Sequence, residues 1–180
     1  MDSGNFGKIF TCVDLEDRSR ELVVKVSSNL RLIGKEVKAL QSVGGNFVPQ
    51  VLSSGIIVSN VKELGQARST VSPSSSIESV FVERKEFYAY YVMPRFGRNL
   101  EVLHAECNWS FSSDTILRIG ASLLDIFSDI HSAGYTYNDL KMDNILIGDA
   151  TFSKASQHTV RLVDFGFAEK FCRKDGTSKP

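Results

Sequence analysis

The stretch His131-Ser132-Ala133-Gly134-Tyr135-Thr136-Tyr137-Asn138-Asp139-Leu140-Lys141-Met142-Asp143-Asn144-Ile145-Leu146-Ile147 lies between an apolar run with helical spacing and an apolar run with strand character. So many polar groups between two core-forming segments are hard to explain as surface loop, since buried polar atoms must find partners. Twenty residues after Asn144 comes Asp164-Phe165-Gly166, behind the strand-like Val160-Arg161-Leu162-Val163. A carboxylate at a strand end suits a metal-binding group, and the Asn144 amide oxygen suits a hard cation such as Mg²⁺.

Upstream of this stretch, Ser112-Ser113-Asp114 supplies capping hydroxyls and an acid for a helix that Gly134 ends. Ile116, Leu117, Ile119, Leu123, Leu124, Ile126, Phe127 and Ile130 cover roughly half of its circumference, well beyond a stripe of about 100°. Such a helix needs cover from two directions. Only 46 residues follow Gly134, and most read as loops and short strands (Asn144 to Ile147, Val160 to Val163), so the expected domain is incomplete.

The N-terminal part reads as strand (Lys8 to Asp14), turn, strand (Glu21 to Ser27) and a helix from Leu32 to Val43 stopped by Gly44-Gly45. Gly55 to Ser59 suits another strand. Ser69 to Ser79 reads as a solvated serine-rich insertion, and Val80 to Glu83 with Phe87 to Met93, either side of Arg84-Lys85-Glu86, as a second hairpin ending at Pro94. Gly4-Asn5-Phe6-Gly7 is either an ordinary glycine turn or a flap whose backbone approaches phosphates; the strand that follows argues against a dinucleotide fold. Lys25 interrupts the apolar Val23 to Val26. A strand lysine is ordinarily solvated, but Glu36, eleven residues on, can pair with its ammonium and aim it at a phosphate.

The 180 residues carry 21 basic and 21 acidic side chains, a balance that gives no overall pull toward nucleic acid. Three dispersed cysteines, Cys12, Cys107 and Cys172, spell neither a disulfide framework nor a C-x-x-C metal site. Reduced thiols and the absence of any apolar run near about 18 residues predict a cytoplasmic or nuclear protein with no membrane and no nucleic-acid partner. His104, His131 and His158 lack metal-ligand spacing.

Asp139-x-Lys141-x-x-Asn144 followed by Asp164-Phe165-Gly166 resembles the eukaryotic protein kinase superfamily. Met93-Pro94-Arg95-Phe96-Gly97-Arg98-Asn99-Leu100-Glu101, Ile130-His131-Ser132 and Phe165-Gly166-Phe167-Ala168-Glu169-Lys170-Phe171 look like its casein kinase 1-like branch, near the vaccinia-related kinases. The resemblance implies an α+β, two-lobe kinase-like fold. Residues 1–93 would form a small antiparallel-sheet lobe with one helix and a serine-rich insertion at about 60–79, residues 94–97 a hinge, and 98–180 an incomplete, mainly helical lobe ending in the activation segment.

The resemblance also implies roles. Gly4, Asn5, Phe6, Gly7 and Ile9 would cover the phosphates of ATP, Lys25 held by Glu36 would contact the α- and β-phosphates, Met93 would stand at the gatekeeper position, and Phe96 would be where hinge backbone groups meet the adenine. Asp139 would orient a substrate hydroxyl and accept its proton, Lys141 would neutralise γ-phosphate charge, and Asn144 and Asp164 would hold Mg²⁺. The implied activity is transfer of the ATP γ-phosphate to Ser or Thr of a protein substrate by a monomer. The alternatives are a catalytically silent fragment that binds nucleotide or a protein partner, and a small-molecule kinase of related fold.

The chain departs from the family pattern at several places. Asp2 stands at the first flap glycine, and Met1 leaves little of the first strand. Met142 replaces a common proline. Tyr137 and Asn138 replace histidine and arginine, which removes the arginine that would meet an activation-segment phosphate.

Overall fold

A computed structural model describes residues 7–18, 20–66, 79–148 and 158–171, with the backbone alone over 62–66 and 79–82. Its first half is a four-stranded antiparallel sheet of β1 (Lys8–Val13), β2 (Glu21–Ser27), β3 (Ser53–Gln66) and β4 (Ser79–Pro94), ordered β1-β2-β4-β3. Helix α1 (Leu30–Val43) lies against β4 and β2. The Asn29 side chain caps it by accepting from Leu32 N at 3.0 Å, and Gly44, at φ 60°, ends it by donating to Leu40 O.

The hairpin expected around Arg84-Lys85-Glu86 is not there. Those three residues sit inside β4 and pair with Val61, Asn60 and Ser59. The ribbon runs past the end of β2, whose last partner on β4 is Ala89. With solvent on both faces, charged side chains cost the strand little, and Arg84 pairs with Glu86 two residues on, on the same face. For the same reason β3 outruns the expected Gly55 to Ser59, and residues 60–66, assigned to the insertion, are strand. The serine-rich core of that insertion lies outside the described residues.

The second half begins with α2 (Leu100–Glu106), which the sequence reading missed. Asn99 caps it through Oδ1 to Val102 N at 2.9 Å, while its Nδ2 donates to Asp143 at 3.2 Å, tying the helix to the polar stretch. Helix α3 (Ser113–Ser132) starts on Ser112 and stops before Gly134 at φ 78°. Short strands follow: β5 (Tyr135–Thr136), β6 (Ile145–Ile147), β7 (Val160–Leu162) and β8 (Glu169–Lys170), with β5 paired to β8 and β6 to β7.

One apolar cluster joins both halves, running from Ile33 and Leu40 on α1 through Tyr91 and Met93 on β4 to Ile126 and Ile130 on α3, Leu162 and Phe165. Among the described residues helix α3 is covered on one side: Ile126 and Ile130 are buried, while Ile116, Leu117 and Leu124 are 57%, 72% and 72% exposed. No helix of the described residues is long and apolar enough to cross a membrane.

Candidate active site

Strand alternation puts Lys25 on the face of β2 that looks toward α1, directly across from Tyr91 on β4. Nearly two helical turns into α1, Glu36 meets it. Lys25 Nζ donates to Glu36 Oε1 and to Asp164 Oδ1, both at 2.9 Å, with the lysine 3% exposed. Two carboxylates on separate elements therefore share one buried ammonium. Glu36 Oε1 also accepts from Tyr91 Oη at 3.0 Å and from Phe165 N at 3.1 Å, while Oε2 is buried without a partner among the described residues. Burial raises the Glu36 carboxyl above its ordinary range despite the opposing Lys25 charge, and burial followed by the Glu36 charge pushes the Tyr91 phenol well up. The sequence reading missed Tyr91; its register opposite Lys25 is the signal that would have found it.

The polar stretch is organised around Asn144. Its Nδ2 donates to Asp139 O at 2.9 Å and to Asp139 Oδ2 at 2.8 Å, and Lys141 Nζ lies 3.0 Å from the same Oδ2. That contact with Asp139 raises the Lys141 pKa. Pairing of Ile145 with Leu162 places Asn144 opposite Val163, whose N–H donates to Asn144 O at 3.0 Å. The hairpin thus sets Asn144 beside the residue that precedes Asp164. Asp164 adopts φ 60°, a left-handed conformation costly for a non-glycine residue, and its Oδ1 also accepts from Gly166 N at 3.4 Å. Lys25, Glu36 and Asp164 form one set of direct contacts and Asp139, Lys141 and Asn144 a second, and the bond from Val163 N–H to Asn144 O sets the two side by side.

Of the residues expected to contact nucleotide, Gly4, Asn5 and Phe6 lie outside the described residues. Gly7 sits at φ 92°, and a Cβ there would fall 2.4 Å from Val26 O, so only glycine fits this approach of β1 to β2. Ile9 pairs with Lys25 and is 63% exposed on the same face. Met93 is buried on β4, two residues from Tyr91 on its face. The Phe96 ring turns the other way, under the Arg161 guanidinium at 5.0 Å, and lines a cavity of about 690 Å³ with Leu40, Val48, Pro49 and Arg95. No residue of the Lys25 cluster lines that cavity.

The histidines are packing residues where their contacts are seen: His104 lies against Trp109 and Phe111, and His131 against Phe127 and Phe171. Among the described residues no three His, Cys, Asp or Glu side chains cluster as a metal site. An Asn–Asp oxygen pair falls outside that pattern.

This fold and cluster define a protein kinase domain, and the family model described as "Protein kinase domain" matches residues 69–179, more than half of the chain. The chain belongs to that family. Among its relatives, Nucleosomal histone kinase 1 of Drosophila melanogaster is 26% identical over 98% of this chain and 28% of its own length. Serine/threonine-protein kinase VRK2 of Homo sapiens is 32% identical over 47% of this chain and 16% of its own. Casein kinase I homolog 1 of Saccharomyces cerevisiae is 30% identical over 47% of this chain and 17% of its own. The chain thus spans well under a third of the length of these relatives.

Proposed function

We propose that this chain carries the nucleotide- and Mg²⁺-binding part of a serine/threonine protein kinase of the casein kinase 1-like branch, acting inside the cell on protein hydroxyls. The observation that carries the reading is Lys25 Nζ held at 2.9 Å by both Glu36 and Asp164. A buried ammonium fixed between a helix and a loop is a rigid positive point for polyphosphate, and reorganisation costs little when charge develops.

The oxygen donors fit a hard divalent ion. Asn144 Nδ2 is occupied by Asp139, which leaves its Oδ1 as an acceptor, and Asp164 takes its hydrogen bonds on Oδ1, leaving Oδ2. Mg²⁺ bound by these two oxygens would screen the charge of the β- and γ-phosphates. Asp139 would hold the incoming Ser or Thr hydroxyl and take its proton as that oxygen bonds to the γ-phosphorus and the bond to the β-phosphate oxygen breaks, releasing ADP. Lys141, 3.0 Å from Asp139, would offset charge on the transferred group. Well-oriented reactants can supply about 7–11 kcal/mol of the barrier, which is why alignment is most of what such a site needs.

The test separates transfer from binding. With labelled ATP and an acidic Ser/Thr peptide, the protein should transfer phosphate, and Asp139→Asn should abolish transfer while nucleotide binding persists. Transfer unchanged by Asp139→Asn would contradict the assignment. Binding without transfer in the unaltered protein would favour the silent alternative.

A further inference from the structure

Strand β1 is an edge of the sheet: it pairs with β2 on one side, and no strand among the described residues pairs with it on the other. Two bonds fix which way its backbone groups point. Asp14 N donates to Arg20 O at 3.3 Å, and on the far side of β2 Arg95 N donates to Glu21 O at 3.1 Å. Backbone groups alternate along a strand, so the even-numbered residues of β1 bond to the even-numbered residues of β2, and Ile9, Thr11 and Val13 direct their N–H and C=O away from the sheet. An open edge is ordinarily blunted by charge, proline or a bulge. Between Lys8 and Asp14 the edge reads Ile9-Phe10-Thr11-Cys12-Val13, with neither a charge nor a proline, and its register with β2 runs without a bulge. Ile9, Phe10 and Val13 are 63%, 50% and 52% exposed. The opposite edge, β3, is interrupted by Gly55, Lys62, Glu63 and Gly65.

The segment is also complementary to itself. Turned antiparallel to a copy about Thr11, it sets Thr11 opposite Thr11, Ile9 opposite Val13, Phe10 opposite Cys12 and Lys8 opposite Asp14, which lies just past the end of β1. The residues with outward backbone groups then meet one another, apolar side chains face apolar ones, and a cation faces an anion at both ends. Moving the copy by two residues one way sets Lys8 against Cys12; the other way sets Phe10 against Asp14. Asp14 keeps its local contacts in this arrangement, Oδ1 accepting from Glu16 N at 3.0 Å and Oδ2 lying 3.9 Å from Arg20. We propose that the β1 edge is an interaction surface for a second copy of this chain, which pairs with it antiparallel and joins the two sheets into one, making a two-fold dimer rather than the monomer that the resemblance implies. Because the same edge is used by both copies, the contact closes on itself and stops at two. The dimer is independent of the kinase reading of the site.

The experiment is sedimentation equilibrium of the 180-residue chain, with amide hydrogen exchange of residues 8–14 followed by NMR. Wild type should associate to a dimer and no further. Raising its concentration should slow exchange at Ile9, Thr11 and Val13, while Phe10 and Cys12, whose amides point to β2, change little. Thr11→Pro removes an outward N–H on an edge strand, where proline is tolerated, so it should abolish the dimer with β1–β2 pairing kept. Lys8→Glu and Asp14→Lys should each weaken association roughly ten-fold, and the two together in one chain should restore it to within about three-fold of wild type. The charge reversals decide the matter even if Thr11→Pro does not fold. A monomer at every concentration would overturn the proposal and leave the edge to an extended peptide or to a further strand of the chain. A dimer that survives Thr11→Pro, that is indifferent to the single reversals, or that the double reversal does not restore would place the seam elsewhere and overturn it equally, as would open-ended association.

Discussion

Lys25 shows how one side chain can organise a cleft. Alone in an apolar strand it would be desolvated at heavy cost, and two carboxylates at 2.9 Å offset that cost. Replacing it by Met leaves Glu36, fully buried, without its countercharge, and should destabilise the protein by roughly 3–5 kcal/mol in urea unfolding as well as abolish transfer. A loss of activity with no loss of stability would contradict the burial argument. Glu36 supplies a signed pH effect. Its folded pKa lies above the ordinary 4.5 because burial outweighs Lys25. Between 4.5 and that raised value the folded state binds more protons than the unfolded chain, so the group's contribution to stability grows as pH falls through that window. Measured against Glu36→Gln, wild type should therefore gain relative stability as pH falls from neutral toward 4.5; a change of opposite sign would refute the shift.

At the level of elements, β1, β2, α1 and α3 were legible because each states its period in local residues: Gly44 stops α1, which begins at Leu30 behind the Asn29 cap rather than at the expected Leu32, and Ser112 and Gly134 bracket α3. The long β3–β4 ribbon was not, because Arg84-Lys85-Glu86 reads as a turn unless the partner strand is known. Helix α2 is short, and its cap, Asn99, is recognisable only once its second bond to Asp143 is seen. The residues expected at the site were chosen by motif spacing and resemblance, whereas the contacts of Tyr91, Tyr137 and Asn138 depend on register and tertiary packing. The two sides of α3 give a test by contrast. Ile126→Ala, at 1% exposure, should cost about 2–5 kcal/mol, while Leu124→Ala, at 72%, should change stability by about 0.5 kcal/mol or less. Equal costs would mean that the exposed side of α3 is covered in solution.

For the molecule as a whole, the apolar cluster runs unbroken from α1 through β4 to α3, so the sheet and the helical part share one core, and the polar cluster lies across the join. Lys25 and Glu36 come from the first half, Asp139, Asn144 and Asp164 from the second, and the Lys25–Asp164 contact spans 139 residues of sequence. A ligand that engages both sides should therefore bind only through their combination. Isothermal titration calorimetry of ATP into the 180-residue chain, with and without Mg²⁺, reads that combination. The account predicts Mg²⁺-dependent binding that Asp164→Ala removes; binding indifferent both to Mg²⁺ and to Asp164→Ala, or no binding by wild type, would contradict it.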